Sequence, residues 1–417
     1  MQTLNFSRKA LVMTPKTGHS KTEFVALVAM LFATIALSID AMLPALPAIA
    51  AALSPEAPNR AQLVVTSFVF GMGLGTLVMG PISDAVGRKK VVLVGGLFFI
   101  LASLACWLAN SLDLLLLSRV LQGVAAAAPR VVSMAMVRDR YKGREMAQLM
   151  SFVMMVFMVV PALAPLMGQA VMALAGWQAI FLVYMVFAAV TMLWMALRQP
   201  ETLPMESRRK LSLQALTAAL RELTTIRVVL VSIVAQTLTL AALFATLSSM
   251  QGIFEQRFDR AASFPLWFAL IAFGSALASI LNARIVMQLG MRLVVVRTYA
   301  AVVALTLFLL IVTAAGLMPE VLAFPAHILW SMALFAMMSL TMGNLNAMAM
   351  EPVGHIAGMA SSVIAAVSTV ISVLLAVPVG LALDGTVLPL MSGVLVFLGL
   401  ALLVVGLGTS REAVPAE

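Results

Sequence analysis

The sequence predicts an all-α, polytopic membrane protein with twelve transmembrane helices arranged as two bundles of six. Of the 417 residues, 63% are hydrophobic and only 10% are charged, and the mean hydropathy is +1.08. A soluble domain of this length would have a largely apolar surface, so that class is excluded. The apolar residues also form runs of about 20 residues, the length that a helix needs to cross a bilayer.

Twelve such runs follow one another along the chain. They lie near residues 24–52, 61–82, 91–110, 114–136, 147–172, 178–197, 227–250, 262–284, 293–316, 322–347, 357–382 and 387–408. The first run follows basic residues, as in a signal peptide, but Asp40 and two prolines interrupt it and eleven further spans follow.

The distribution of lysine and arginine predicts the orientation. With both termini in the cytoplasm, 21 of the 26 Lys and Arg residues fall in cytoplasmic segments, and only Arg60, Arg257 and Arg260 fall on the other side. Cytoplasmic loops are enriched in these residues, so the bias predicts a multi-pass protein of the inner (plasma) membrane with cytoplasmic termini. The net charge of +9 has the same explanation, and we expect no nucleic-acid partner.

The longest polar stretch of the chain divides six spans from six. We expect a cytoplasmic tail at 1–22, a first bundle at 23–197, a cytoplasmic linker at 198–226, a second bundle at 227–408 and a tail at 409–417. Within the linker, residues 211–223 have helical apolar spacing and are expected to lie along the membrane surface. A weak repeat relates Gly87 in the first half to Gly290 in the second.

Residues 80–90, between the second and third spans, are expected to form a tight cytoplasmic loop. They contain Asp84, Gly87, Arg88 and Lys89. Asp84 is placed to pair with Arg88 or to accept amide hydrogen bonds from the start of the next helix, because helix N-termini favour anions. The alternative is a simple anchor of positive charge on the cytoplasmic side.

Asp40 lies well within the first span, shortly before Pro44 and Pro47. A carboxylate inside a membrane is costly, so Asp40 should face a cavity or hold a proton. Either condition suits a group that alternates between a proton and a cationic or polar substrate, and a structural pair with an arginine is the alternative. The two prolines should bend or loosen the outer end of this span.

The fourth span carries two arginines on one face. Arg119 and Arg130 are eleven residues apart, close to three helical turns, which separates them by about 16 Å along the axis, and Gln122 shares their face. Two arginines on one face cannot point at lipid, so this face should line a cavity or meet acids, of which Asp40 is the obvious one. For Arg119, a structural ion pair or carbonyl contacts are the alternative.

Proline and glycine soften the fifth span at Pro161, Pro165 and Gly168, which suits a gate between the two halves. Close packing would equally explain its small residues. The second half has no charge deep within a span, and Gln236, Asn344 and Asn346 are its candidates for lining a cavity.

Together these residues resemble the major facilitator superfamily, and specifically its twelve-span drug–proton antiporters of the bicyclomycin/chloramphenicol-resistance (Bcr/CflA) type. The resemblance runs from about Asp40 to Glu201. Residues 80–91 look like the family's loop between the second and third spans, and residues 119–123 look like its motif in the fourth. Residues 164–169 resemble the antiporter motif of the fifth span, although Ala164 and Gln169 replace the usual glycines.

The resemblance implies the major facilitator fold, with pseudo-twofold symmetry between the bundles. It implies that Asp40 binds proton and substrate and that Arg119 takes part in proton coupling. We expect proton or substrate binding by Asp40, Arg119, Arg130 and Gln122, and gating by Asp84, Gly87, Arg88, Lys89, Pro161, Pro165 and Gly168.

The expected function is proton-coupled multidrug efflux, in which small amphipathic drugs are exported by alternating access. We expect a small-molecule substrate, a bilayer around a monomer, and no cofactor besides the proton as coupling ion. An ATP-driven motor is not expected, because the sequence has no Walker A loop. An enzyme is not expected either, because no nucleophile–base pair appears and the three histidines do not have metal-ligand spacing. The alternatives are export of one endogenous metabolite or siderophore-like polar compound, and a ligand-binding membrane sensor.

Overall fold

The chain folds into two groups of helices joined by a connecting segment. The structure is a computed structural model that describes residues 20–208 and 213–408; these residues are 89% helical and contain no strand. The predicted tails at 1–22 and 409–417 therefore lie almost wholly outside the described residues, as do Arg209 and Lys210 of the linker.

The first group contains seven helices. They are α1 (Lys21–Asp40), α2 (Leu46–Leu53), α3 (Leu63–Val86), α4 (Arg88–Trp107), α5 (Leu112–Arg140), α6 (Gly143–Ala175) and α7 (Ala179–Arg198). A 3₁₀ turn at Leu43–Ala45 joins α1 to α2, and another at Pro58–Gln62 leads into α3. The helices α1 and α2 together form the first membrane span.

The second group begins after the connecting segment. Its helices are α8 (Leu213–Thr225), α9 (Arg227–Gln256), α10 (Phe264–Leu289), α11 (Met291–Ala314), α12 (Glu320–Met350), α13 (Ala357–Leu381) and α14 (Leu388–Gly408). Eleven stretches of the described chain are long and apolar enough to cross a membrane. One of them, Glu320–Leu381, has 62 residues and comprises α12 and α13, so it is far too long for one crossing of a core about 30 Å thick. The predicted all-helical, twelve-span class is confirmed.

The ends of the helices define two opposite faces of the molecule. One carries the start of α1, the α3–α4 and α10–α11 turns and the connecting segment, and we call it the linker face. The other carries the loops at 54–62, 108–111, 176–178, 257–263, 315–319 and 382–387, and we call it the distal face.

Two helix pairs hold the groups together: α3 packs against α13, and α6 against α10. On the distal face, Asn59 donates hydrogen bonds to the carbonyl oxygens of Leu381 and Leu383, at 3.1 and 2.6 Å. These carbonyls lie at the C-terminal end of α13, where helical carbonyls have no partner within the helix. A residue of the first group therefore caps a helix of the second.

The connecting helix α8 packs on the second group. Leu223 is fully buried beside Val229 and Val353, so part of the apolar face of α8 is covered by protein. The expected position along the membrane surface thus applies only to the remainder of this helix.

The predicted loop at residues 80–90 is wrong in extent. α3 continues through Pro81 to Val86 and α4 begins at Arg88, so Gly87 alone forms the turn. Gly87 has φ +110° and ψ 149°, and Gly290 between α10 and α11 has φ +79° and ψ 154°. Only glycine adopts this backbone readily, so the weak repeat between the two halves corresponds to a shared helix-to-helix turn.

Candidate functional site

The first span is interrupted at Asp40. α1 ends there, Ala41 and Met42 form a turn, and the chain continues as a 3₁₀ turn and then α2. Pro44 and Pro47 fall at the first turns of the two later segments, where a residue without an amide N–H is tolerated. The bend therefore precedes both prolines and exposes the last carbonyl oxygens of α1.

The carboxylate of Asp40 is isolated. Asp40 is only 6% exposed, yet no described residue forms a hydrogen bond or an ion pair with its side chain. A structural pair between Asp40 and an arginine, which the sequence left open as the alternative, is therefore not present among the described residues. A buried carboxylate without a partner is costly, and a proton or a cation would remove that cost.

Arg119 instead binds backbone and an amide. Its Nη2 donates to the carbonyl oxygen of Ser38 at 2.9 Å, its Nε to that of Val64 at 3.0 Å, and its Nη1 to Gln122. Its guanidinium also lies 4.4 Å from the centre of the Phe68 ring. The Ser38 carbonyl is available because α1 ends two residues later. These are the carbonyl contacts that sequence reasoning held as the alternative for Arg119.

Gln122 extends this network to α4. It accepts from Arg119 and donates through Nε2 to the hydroxyl of Ser103 at 2.6 Å, and all three side chains are fully buried. Gln122 therefore fixes the orientation of Arg119 and has no described contact with Asp40.

Sequence reasoning missed Tyr184 of α7. Its hydroxyl donates to the Ser38 carbonyl oxygen at 3.4 Å, so Arg119 and Tyr184 share one acceptor next to Asp40. The chain has only three tyrosines, and a buried phenol usually finds a partner, which is the signal that could have found it.

α6 approaches the interruption through Gly168. A Cβ at this position would lie 2.0 Å from the carbonyl oxygen of Ala41, so no larger residue fits without separating the two helices. α6 remains one continuous helix through Pro161 and Pro165. Of the predicted gating residues of the fifth span, Gly168 thus meets the first span one residue from Asp40.

Arg130 differs from Arg119 in its surroundings. Its Nη1 lies 3.9 Å from the sulfur of Met72, and no described acid pairs with it. A sulfur atom is a weak acceptor, so the donors of Arg130 are largely free among the described residues.

The predicted gating residues at the linker face form a charged network. Arg88 pairs with Asp84 at 2.6 Å and with Asp139 at 3.1 Å. The backbone amides of Arg88 and Lys89 donate to the carboxylate of Glu201, at 2.9 and 3.2 Å. Glu201 therefore occupies the position at the start of α4 that the sequence suggested for Asp84.

This network belongs to the first group of helices alone. Arg88 connects α3, α4 and α5, and Glu201 follows α7. The side chain of Lys89 donates to the carbonyl oxygen of Ala196, again in α7. Among the described residues, none of these contacts reaches the second group, so the network does not close the linker face here.

The polar candidates of the second group are dispersed. Gln236 is buried, and its amide nitrogen has no partner in the described chain. Asn344 donates to Asn282 of α10 at 3.1 Å, a partner that sequence reasoning missed, and Asn346 is exposed near the end of α12. Within the described residues, no group of three His, Cys, Asp or Glu side chains is placed to hold a metal.

The protein is a polytopic membrane protein, because it is all-helical and has twelve spans. The first of these spans contains an isolated acid. The profile of the Major Facilitator Superfamily matches residues 26–377, so the chain belongs to this superfamily, whose members are transporters and not enzymes. The resemblance proposed from the motifs is confirmed.

Curated relatives match over part of the chain. The uncharacterized MFS-type transporter YdgK of Bacillus subtilis is 40% identical over 194 residues, which cover 46% of this chain and 48% of YdgK. The bicyclomycin resistance protein homolog of Haemophilus influenzae is 30% identical over 256 residues, 60% of this chain and 63% of that protein. The chain thus spans about half to three-fifths of the length of these relatives.

The fold is also shared with solved transporters. The partially occluded inward-open structure of the xylose transporter XylE from E. coli superposes with a TM-score of 0.73, covering 92% of this chain and 96% of that one, at 10% identity. Identity this low supports the fold alone.

Proposed function

We propose that the protein is a proton-coupled exporter of small amphipathic drugs. The observation that carries the proposal is the isolated carboxylate of Asp40 inside the membrane, next to the contact between the first and fifth spans. The similarity to a bicyclomycin resistance protein homolog supports drugs as the substrate class.

Asp40 supplies the coupling. Facing the outside, it takes up a proton and the drug leaves; facing the cytoplasm, it loses the proton as a drug enters. Arg119 holds the interruption of α1 in shape, and its positive charge lies near the C-terminal end of that helix, where cations are favourable. An inward proton contributes about 2.3 kcal/mol per 100 mV of membrane potential, which sustains a drug gradient without ATP.

The same proposal includes the orientation of the protein in the membrane. Among the described residues, the linker face carries most of the Lys and Arg side chains, whereas the distal face carries Arg60, Arg257 and Arg260 alone. By the positive-inside rule, this bias supports a cytoplasmic linker face and, with it, cytoplasmic termini in the inner membrane.

Proteoliposomes test the proposal. We would impose a pH gradient on vesicles containing the full chain, add bicyclomycin, chloramphenicol or a lipophilic cation one at a time, and follow the lumenal pH. We expect at least one drug to cause proton movement that disappears in Asp40→Asn. Asn keeps the shape of the side chain but cannot exchange a proton.

A control variant makes the result specific. Glu56→Asn removes an exposed acid of the distal face and should leave the drug-dependent proton movement unchanged. Proton movement that persists in Asp40→Asn, or that no drug elicits, would contradict the proposal.

A second candidate function is export of an anionic or polar metabolite, and the free donors of Arg130 favour it. Guanidinium groups bind carboxylates and phosphates in bidentate fashion, whereas a free cation disfavours cationic drugs. A competition panel of anionic, neutral and cationic compounds separates the two. Proton movement with anions only, abolished by Arg130→Gln, would replace drug export by metabolite export.

A further inference from the structure

A cavity of about 450 Å³ lies on the distal face between the two groups of helices. Its walls come from α2, the turn before α3, the end of α9 and the loop after α13; Leu46, Pro58, Gln62, Ser248, Glu255 and Leu383 are among the lining residues. Its volume falls within the range of small-molecule sites, about 300–1,000 Å³. None of the residues assigned to proton coupling lines it.

Some of the residues that line this cavity also form the contacts that hold the two groups of helices together on the distal face. Asn59 and Leu383 line it, and they are joined by the 2.6 Å hydrogen bond between the two groups. Gln62 lines it as well and accepts a hydrogen bond from Ser249 of α9 at 3.3 Å. The cavity therefore has its present shape only while the distal ends of the groups are together.

The chemistry of the cavity favours a cation. Among the described residues that line it, Glu255 alone is charged, and no described residue forms an ion pair or hydrogen bond with its carboxylate. The amides of Gln62 and Gln256 and the hydroxyl of Ser248 offer further acceptors, while Leu46, Pro47 and Leu383 supply apolar surface.

The distal face as a whole is acidic. Its described residues include six acids and three arginines; the acids are Glu56, Asp113, Glu255, Asp259, Glu320 and Asp384. Arg60 is paired with Asp113, and Arg257 with Glu320. Hydrogen bonds from Thr386 hold the pKa of Asp384 below its ordinary value, so this acid stays charged beside the cavity. A face with this balance attracts cations.

We propose that this cavity is a binding site for small organic cations that arrive from the distal side, and that an occupant holds the distal face closed. The ammonium group lies against the Glu255 carboxylate, and an apolar body fills the space between Leu46 and Leu383. Because the occupant touches both groups of helices at their closing contacts, it binds the closed arrangement better than the open one. Such a differential affinity shifts the population towards closure.

Binding to the purified full-length protein in nanodiscs is the first measurement. The probe is 1-adamantylammonium, a compact apolar cation, and the matched neutral probe is 1-adamantanol. We expect the ammonium to bind and the alcohol to bind at least about tenfold more weakly. Glu255→Gln should lose about tenfold in affinity for the ammonium and change little for the alcohol.

Two control variants test whether the loss of affinity is specific to the cavity. Asp259→Asn removes the same charge from the same face outside the cavity, at a position with φ +53° that asparagine tolerates, and should bind normally. Glu56→Gln, which removes another exposed acid of the same face outside the cavity, should also bind normally. If Asp259→Asn and Glu255→Gln lost the same affinity for the ammonium, the effect would come from the overall negative charge of the distal face. That result would overturn the proposed site.

Distances between spin labels test the effect on closure. Labels at Asn110→Cys and Leu317→Cys, in loops of the two groups, would be placed in a Cys106→Ser background. We expect 1-adamantylammonium to enrich the shorter label distance in the parent and not in Glu255→Gln. Enrichment of the longer distance, or unchanged ammonium affinity in Glu255→Gln, would overturn the proposal.

Discussion

Asp40 and Arg119 lie beside the same turn of backbone, but they differ in the number of their hydrogen-bond partners. Arg119 is fully buried and donates to two carbonyl oxygens and one amide oxygen, whereas no described residue binds the carboxylate of Asp40. A buried acceptor that loses its donor costs about 1–3 kcal/mol. Arg119 therefore stabilises the interruption of the first span, and Asp40 is the residue to which the proposed mechanism assigns proton exchange.

Replacing the two arginines of α5 by lysine should separate stability from transport. Arg119→Lys should lower the melting temperature of the purified protein markedly, because one ammonium cannot reach the carbonyls of Ser38 and Val64 and the amide of Gln122 together. Arg130→Lys should leave the melting temperature nearly unchanged, since the described contacts of Arg130 are limited to Met72. Fluorescence-detected thermal unfolding in detergent measures both.

An equal loss of stability in the two lysine variants would contradict this assignment. Arg130→Lys is the matched control, because it makes the same chemical change eleven residues along the same helix.

Residue spacing alone predicted which side chains share a face of α5 but not what they bind. The eleven-residue interval drew attention to Arg119 and Arg130, but it left open whether they face a cavity, an acid such as Asp40 or, for Arg119, carbonyl oxygens. The Ser38 carbonyl became the acceptor because α1 ends at Asp40, and that end depends on local backbone geometry. Tyr184 was missed for the same reason, since it binds the same carbonyl.

At the scale of helices, the turn at Gly87 determines how α3 leads into α4. The glycine has φ +110°, and a Cβ there would lie 2.6 Å from the Glu201 carboxylate that binds the first amides of α4. The backbone and the neighbouring acid both require the absence of a side chain.

Alanine at the two equivalent turns should give unequal effects. Gly290→Ala places a Cβ in open space and should cost only the backbone strain, about 1–3 kcal/mol. Gly87→Ala should lower the melting temperature further, because it also displaces Glu201. The comparison is made by thermal unfolding of both variants, and equal shifts would show that the Glu201 contact does not matter.

The boundaries of the helices were less predictable than their number. Residues 80–86 were expected in a loop because they stand between two long apolar runs and beside the cations at 88–90, but they continue α3. A proline removes one amide donor, and packing against neighbouring helices tolerates that loss in membrane proteins. The apolar runs determined the twelve spans because their length is imposed by the bilayer.

At the scale of the whole molecule, the two groups of helices contribute differently. The isolated acid, both arginines of α5 and the charged network of Arg88 all lie in the first group. The second group contributes α10 and α13 as packing partners and the carbonyls that Asn59 caps. In the proposed mechanism, the first group therefore exchanges the proton, and the contact between the groups opens and closes.

Removing the cap on α13 should favour opening of the distal face. Asn59→Ala eliminates two hydrogen bonds between the groups, so we expect a larger population with long distances between labels at Asn110→Cys and Leu317→Cys. Double electron–electron resonance measures these populations. Asn346→Ala, an exposed position near the opposite face, should leave the distances unchanged, and a similar opening in that variant would contradict a specific role for Asn59.

The pH dependence of drug binding tests the central claim most directly. The drug to use is one that causes proton movement in the proteoliposomes. If this drug replaces a proton on Asp40, the affinity of the parent protein for it should rise with pH. The limit is about tenfold per pH unit, the slope for one competing proton. Asp40→Asn should bind the drug with an affinity that does not vary with pH. An unchanged slope in Asp40→Asn would contradict the account, because the exchanged proton would then reside on another group.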